Sequence, residues 1–247
     1  MLGVEDWAEI RRLHRAERMP IKVIARVTGV SRNTLPSPGT TCASPAQRAQ
    51  VLDLTERFYA RRRQPTAVQV SPAELHDQLD GELAARGYRR QAPTLVLTAP
   101  IQRVPVRAPT TSAVAVSIAD AVTAQWLAAW TAIEARPDAA ATNQQILARI
   151  GPQAGYLTAI HDRDVVGVGM VVVERGWAGV FCMATRPADR RRGVATAVLQ
   201  HAASWAADQG VHQLYLQVEE DNVPAVRLYS RLGFQPSHRY HYRVATS

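Results

Sequence analysis

At 247 residues and 47% hydrophobic content, the chain has room for one large or two small packed cores. Its longest apolar candidate, Val165 to Val173, is strand-sized, and Glu5 and Asp6 stand where a leader would be basic and then apolar; we expect a soluble, cytoplasmic protein without a membrane partner. The formal net charge of +8 is lopsided, with 17 Arg/Lys against 10 Asp/Glu in residues 1–111 and 12 against 11 in residues 112–247, so charge gives the C-terminal part no argument for nucleic acid.

In chain order, residues 5–17 place Trp7, Ile10 and Leu13 at helical spacing. Pro20 opens a second helix, Thr28-Gly29-Val30 makes a turn, and Ser31 caps a third. Residues 2–35 resemble the helix-turn-helix of insertion-sequence transposases, but Pro36, Pro38 and Gly39 cut the reading helix short. We therefore expect a truncated helix-turn-helix-like segment over 1–35 that does not read DNA, then a Pro/Ser/Thr/Gly-rich linker over 36–45. Order resumes with a helix over Ala46–Arg63, a strand at Ala67–Val70, a helix over Pro72–Arg86 closed by Gly87, and a strand at Thr94–Thr98. A second linker spans 99–112.

From residue 113 the pattern sharpens. It predicts a strand over Ala113–Ile118, a helix capped by Asp120 and running to Ala135, and a shorter helix capped by Asn143 and ending at Ile150. Strands follow at Gly155–Ile160, Val165–Glu174 and Trp177–Thr185, then a basic turn, Arg190-Arg-Arg-Gly193-Val-Ala195, that opens a helix to Gly210. A strand over Gln213–Glu219, a helix capped by Asn222 and ended by Gly233, and strand residues from Phe234 to Val244 complete the chain. A helix N-terminus after such a turn presents unhindered backbone N–H groups where the helix dipole favours an anion, so phosphate is its natural guest. The cysteines, Cys42 and Cys182, are far apart and imply neither a disulfide nor a metal site; Cys182 is expected to be buried in its strand.

This order of elements resembles the GNAT (GCN5-related) N-acetyltransferase family over residues 113–247. One motif matches as Arg190-Arg-Arg-Gly193-Val-Ala195 after the strand ending at Thr185, the other as Leu216 to Phe234, with Asn222, Tyr229 and Gly233 in place. The resemblance implies an α+β fold with a central, mostly antiparallel mixed sheet flanked by helices. It also implies acetyl-CoA as co-substrate, a small-molecule or peptide amine as acceptor, and no metal. Helix, Gln69-Val70, helix, Gly87-Tyr88 and strand echo the C-terminal half, so residues 46–98 read as a partial, degenerate copy in which Leu83 stands opposite Tyr229.

The resemblance further implies that the backbone of Met183, Ala184 and Thr185 lies along the pantetheine arm. The N–H groups of Arg191, Arg192, Gly193, Val194, Ala195 and Thr196 hold the pyrophosphate, with the Arg190–Arg192 side chains adding charge, and Asn222 hydrogen-bonds toward the pantetheine. Tyr229 is the general acid, since a phenol stays protonated at neutral pH. Some relatives carry a Glu base where this chain has Gln217, which cannot take a proton usefully. Glu219, on the same strand face, and Glu174 are the substitutes, and a water chain ending on backbone groups is an alternative. The activity expected is acetyl-CoA-dependent N-acetyl transfer to a primary amine by direct attack; the alternatives are a non-catalytic acyl-CoA binder and a DNA-binding regulator using residues 5–35. His161, His201, His212, His238 and His241 show no pairing logic and read as structural or exposed, and no feature of the sequence sets an oligomeric state.

Overall fold

The computed structural model describes residues 45–61, 63–104, 114–134, 146–147, 150 and 153–246. The expected helix-turn-helix segment, the first linker and the cap at Asn143 lie outside these residues. Helix α1 spans Pro45–Ala60, strand β1 Ala67–Val70, helix α2 Asp77–Ala85 and strand β2 Tyr88–Pro100. Strand β3 (Ala115–Ala119) and helix α3 (Ala124–Ile133) follow, then strands β4 (Ala154–His161), β5 (Asp164–Glu174) and β6 (Trp177–Thr185). Helix α4 (Val194–Asp208), strand β7 (Gln213–Glu219), helix α5 (Val223–Arg231) and strand β8 (Gln235–Ala245) end the described chain.

The elements expected within the described residues are present with four changes, while the shorter helix ending at Ile150 lies mostly outside them. The linker expected over 99–112 does not begin at 99: Ala99 and Pro100 belong to β2, Ile101–Arg103 form a 3-10 turn and Val104 is buried in the core. The helix from Pro72 divides into a short 3-10 turn, Ala73–Leu75, and α2, because His76 between them has a non-helical φ of −128°. The cap of α3 is Thr123, not Asp120: the Thr123 hydroxyl oxygen accepts from the Trp126 N–H at 3.1 Å, satisfying a donor that the helix itself cannot pair. Strand β2 is far longer than Thr94–Thr98. Its early residues Arg89, Arg90 and Gln91 are exposed and polar, which hides them from a hydrophobic pattern, and its register shifts between Gln91 and Thr94, with Ala92 at φ +46°.

All eight strands form one mixed sheet in the order β1-β8-β2-β7-β6-β5-β4-β3. Every pair is antiparallel except β6 with β7. The upstream strand β2 is central here. It pairs Thr94–Pro100 with Glu219–Gln213 of β7 on one side and runs beside β8 on the other, while β1 pairs with the outer edge of β8. Leu97 and Ala99 of β2 are buried in the same core as Val180, Leu199 and Leu216. Burying one leucine contributes roughly 2 kcal/mol, so the upstream segment is tied into the core by side chains as well as by its ladders.

Alternation along the strands divides the core into two faces. Leu157, Val171, Val180, Leu214 and Leu216 meet the apolar stripe of α4 and, from α5, Tyr229. On the other face Tyr156, Met170, Phe181 and Tyr215 meet Trp126 and Trp130 of α3. The Trp126 indole N–H reaches both Leu157 O and Gly169 O at 3.0 Å, which fixes α3 over β4 and β5. Beyond β7, α1 and α2 bury Leu52 and Leu83 against Val70 and Tyr88; Leu83, the residue aligned with Tyr229, is wholly core. A cluster of charges locks α2 to β8: Asp80 accepts two hydrogen bonds from Arg243 at 2.7 Å and contacts His241 Nε2 at 2.5 Å.

Candidate active site

Strands β6 and β7 run in register only from Trp177–Val180 against Gln213–Leu216. Beyond Val180 and Leu216 the two strands have no pairing, although each keeps its outer partner, β5 and β2. The sheet therefore opens between Phe181–Thr185 and Gln217–Glu219, leaving a slot between the two strands. Unpaired backbone N–H and C=O groups on facing strands are what an extended amide-bearing chain would bind.

A bulge shapes the β6 wall. Val168 pairs with Ala184 but Met170 pairs with Phe181, so Cys182 and Met183 together face the single residue Gly169. Cys182 takes up the extra length at φ +51°. Gly169 makes room for the bulge, since a Cβ there would lie 2.6 Å from Val198 Cγ1 and 2.8 Å from Met183 Sδ. Cys182 is half-buried, less enclosed than expected, and desolvation pushes its thiol above the ordinary range, away from a reactive thiolate. Nothing in the sequence marks this bulge except the pairing of a small residue on one strand with an extra one on the next.

The basic turn follows β6 directly. After a 3-10 turn, Pro187–Asp189, the backbone reaches Arg191 at φ +63° and Gly193 at φ +81°, and α4 begins. The first helical bond runs from Ala197 N to Gly193 O at 2.9 Å, so the N–H groups of Val194, Ala195 and Thr196 precede it and stay available. Val194 itself is buried in the core and anchors the turn, while Arg190, Arg191, Arg192 and Gly193 are exposed.

Charge at this turn is already ordered by Asp189, which sequence reading missed. Its carboxylate is buried, pairs with Arg186 and accepts from Arg192 at 3.3 Å, and Arg186 also bonds Asp164 at 3.0 Å. The Arg186 guanidinium holds the Asp189 carboxyl below its usual range against the opposing effect of burial. Arg190 Nε donates to Thr185 O at 3.4 Å. Arg190 and Arg192 are thus oriented, not free. The available signal was the placing of Asp189 three residues from arginines on both sides.

The remaining candidates line the β7 side. Asn222 caps α5, its side-chain oxygen accepting from Ala225 N at 3.3 Å. Tyr229 is 7% exposed beside Phe234, and burial pushes its phenol up to about 12. Glu219 and Gln217 point to the opposite face of β7, the face of Tyr215 and α3, whereas Tyr229 packs with Leu216 and Val218 on the α4 face. The structure does not put the expected acid and base side by side; it sets them on either side of the strand that borders the slot. Glu174 lies at the far end of β5 opposite Trp177, away from the open part of the slot, so it is not a member of this group. Among the described residues no group of three or more His, Cys, Asp or Glu side chains is placed to hold a metal, and no helix is long and apolar enough to cross a membrane.

Residues 117–234 match the model of the Acetyltransferase (GNAT) family. An uncharacterized N-acetyltransferase, YobR, of Bacillus subtilis (strain 168) is 29% identical over 101 residues, which is 41% of this chain and 41% of the relative, so this chain spans well under half of that relative. A GCN5-related N-acetyltransferase from Kribbella flavida superposes with a TM-score of 0.62 at 17% identity, covering 83% of this chain and 77% of that one. A tandem GNAT protein from the clavulanic acid biosynthesis pathway gives 0.66 at 16% identity, covering 85% and 72%. The parted strands, the bulge and the basic turn all fall within the matched residues, and the chain carries, at residues 117–234, an acetyltransferase domain of the GNAT family.

Proposed function

We propose that this protein is an acetyl-CoA-dependent N-acetyltransferase that moves the acetyl group to a primary amine, on a small molecule or a peptide, by direct transfer. The observation that carries the reading is the parting of β6 and β7 directly before the free N–H groups at the start of α4. A thioester with a long amide arm and a pyrophosphate fits both at once. The pyrophosphate would rest on the N–H groups of Arg191 to Thr196, with Arg190 and Arg192 at the rim, and the arm would follow Met183–Thr185 with Asn222 opposite. A backbone N–H from the bulge would meet the carbonyl oxygen as it gains charge.

In the reaction the amine nitrogen bonds to the carbonyl carbon, the C–S bond breaks, and its electron pair leaves on sulfur. Glu219 would take the amine's proton and Tyr229 would give one to sulfur, from the two sides of β7. Burial pushes the Tyr229 phenol up to about 12, above the range of an ordinary thiol, so full proton transfer to a thiolate is uphill. Tyr229 therefore acts mainly as a hydrogen-bond donor to the developing thiolate, and the transfer completes only as the amine's proton is shed. Residues 46–98 read as the C-terminal half of a first copy, a reading supported by the shared order of elements and by Gly87 and Gly233, both left-handed at φ +82° and +87°.

The test is acetyl-CoA turnover against a panel of amines, antibiotics and peptide N-termini, with CoA binding measured alongside. Turnover should depend on Tyr229→Phe, which we expect to lower kcat by about 100-fold while leaving CoA affinity in place. CoA binding with no turnover on any amine would favour the second reading, a non-catalytic acyl-CoA binder, for which Gln217 in the place of a base is the supporting observation. No binding at millimolar CoA removes both.

A further inference from the structure

Four polar side chains form a row on the α3 face at the open part of β7, and the strand β2 supplied by the upstream segment completes it. Thr94 stands between Glu219 of β7 and Tyr240 of β8, directly paired with both. The Thr94 hydroxyl donates to Ala92 O at 2.9 Å. Tyr240 is 3% exposed, and its hydroxyl donates to Gln217 Oε1 at 2.9 Å. With its oxygen taken, Gln217 has only its two carboxamide N–H donors left to offer, and among the described residues they meet no acceptor. Glu219 likewise meets no cation among the described residues. Both side chains are half-buried, two residues apart on one strand face, about 7 Å along the strand.

A carboxylate and a pair of fixed N–H donors at that spacing are complementary to a cation with a hydrogen-bond acceptor close to it. We propose that Tyr240 is a positioning residue that aims the Gln217 N–H groups at the acceptor, so that the site selects amines carrying a carbonyl oxygen three bonds from the nitrogen, with the amine on Glu219. This rests on the acetyltransferase reading above. The preferred class is the α-amino amide of a peptide N-terminus or of an amino-acid amide; a plain alkylamine offers no acceptor to the Gln217 N–H groups. The burial of Tyr240 beside the Glu219 charge keeps its phenol protonated, with its ionisation pushed up to about 12, so it remains a donor throughout the working range.

The experiment compares kcat/KM for glycinamide and for propylamine in the intact chain, in Gln217→Ala and in Tyr240→Phe, with acetyl-CoA binding measured for each. Corrected for the fraction of free base, the unmodified protein should prefer glycinamide by about 10-fold. Gln217→Ala should erase that preference and Tyr240→Phe should reduce it about 3-fold, both through KM for the amine and with KM for acetyl-CoA unchanged. The ratio between variants cancels the difference in amine basicity. Equal use of the two amines by the unmodified protein overturns the proposal, as does a preference that survives Gln217→Ala. If a variant no longer binds acetyl-CoA, the other variant and the unmodified protein decide. Turnover of both amines without these changes sinks this inference alone, whereas absence of turnover on every amine sinks the acetyltransferase reading with it.

Discussion

Between Trp177 and Thr196 a single unbroken stretch supplies one wall of the slot, its bulge and its basic turn, whereas the facing wall gathers Thr94, Gln217, Glu219 and Tyr240 from three strands. The first wall depends on local register, one left-handed glycine and a buried aspartate. The second depends on pairings across the chain, and on Asp80 joining α2 to Arg243, 163 residues away. Local walls tolerate damage elsewhere; a wall assembled from distant segments fails when any of them is withdrawn.

The strongest way to break this contrast is to remove residues 45–100. Strand β7 would lose its ladder with β2, strand β8 would lose both neighbours, and Leu97 and Ala99 would leave the core. We expect the remainder to show no cooperative thermal transition by circular dichroism. A truncated chain that melts cooperatively and binds CoA would show that the upstream strands are an accessory.

A smaller lesion at the same joint is Asp80→Ala, which leaves Arg243 and His241 without their shared carboxylate in a largely enclosed setting. Stability should fall by about 3 kcal/mol, read from chemical denaturation. The pH dependence has a definite sign. The hydrogen bonds from Arg243 hold the Asp80 carboxyl far below its usual range, against the effect of burial, with His241 adding to the lowering. Such a group contributes fully above its unfolded value of about 4 and less as the pH falls below that, so the unmodified protein should lose stability under acid conditions more steeply than Asp80→Asn. Parallel acid profiles for the two proteins would mean that the cluster is not what ties α2 to the sheet.

The same contrast explains what could be read in advance. The extents of β1, β6 and β7, the Asn222 cap and the glycine turn that opens α4 follow from local pattern, and each lies where the residues predict. The insertion of β2 between β7 and β8 does not, because nothing local states which strand will be its neighbour. Tyr240 had the look of one more residue of a final strand, and only the fold brings it to Gln217 across β2. Asp120 was the expected cap of α3, but the helix begins only at Ala124, so Thr123 takes that place. An aspartate among arginines in a turn reads as solvated, and only the fold shows Asp189 buried.

Asp189 also gives the mildest test, on the local wall alone. Replacing it with Asn keeps the shape of the side chain and removes the charge that pairs with Arg186 and receives Arg192. The backbone N–H groups of the turn remain, since Gly193 and the start of α4 do not depend on that carboxylate. What changes is the aim of the arginines at the rim, so KM for acetyl-CoA should rise about 3- to 10-fold with little change in kcat at saturation. Salt should reproduce part of the effect in the unmodified protein, because exposed arginines act on phosphate through screened charge. A fall in kcat with KM unchanged would instead place Asp189 in the support of the bulge and the carbonyl, and would mean that even the local wall is coupled to the reacting centre and not only to the anion it holds.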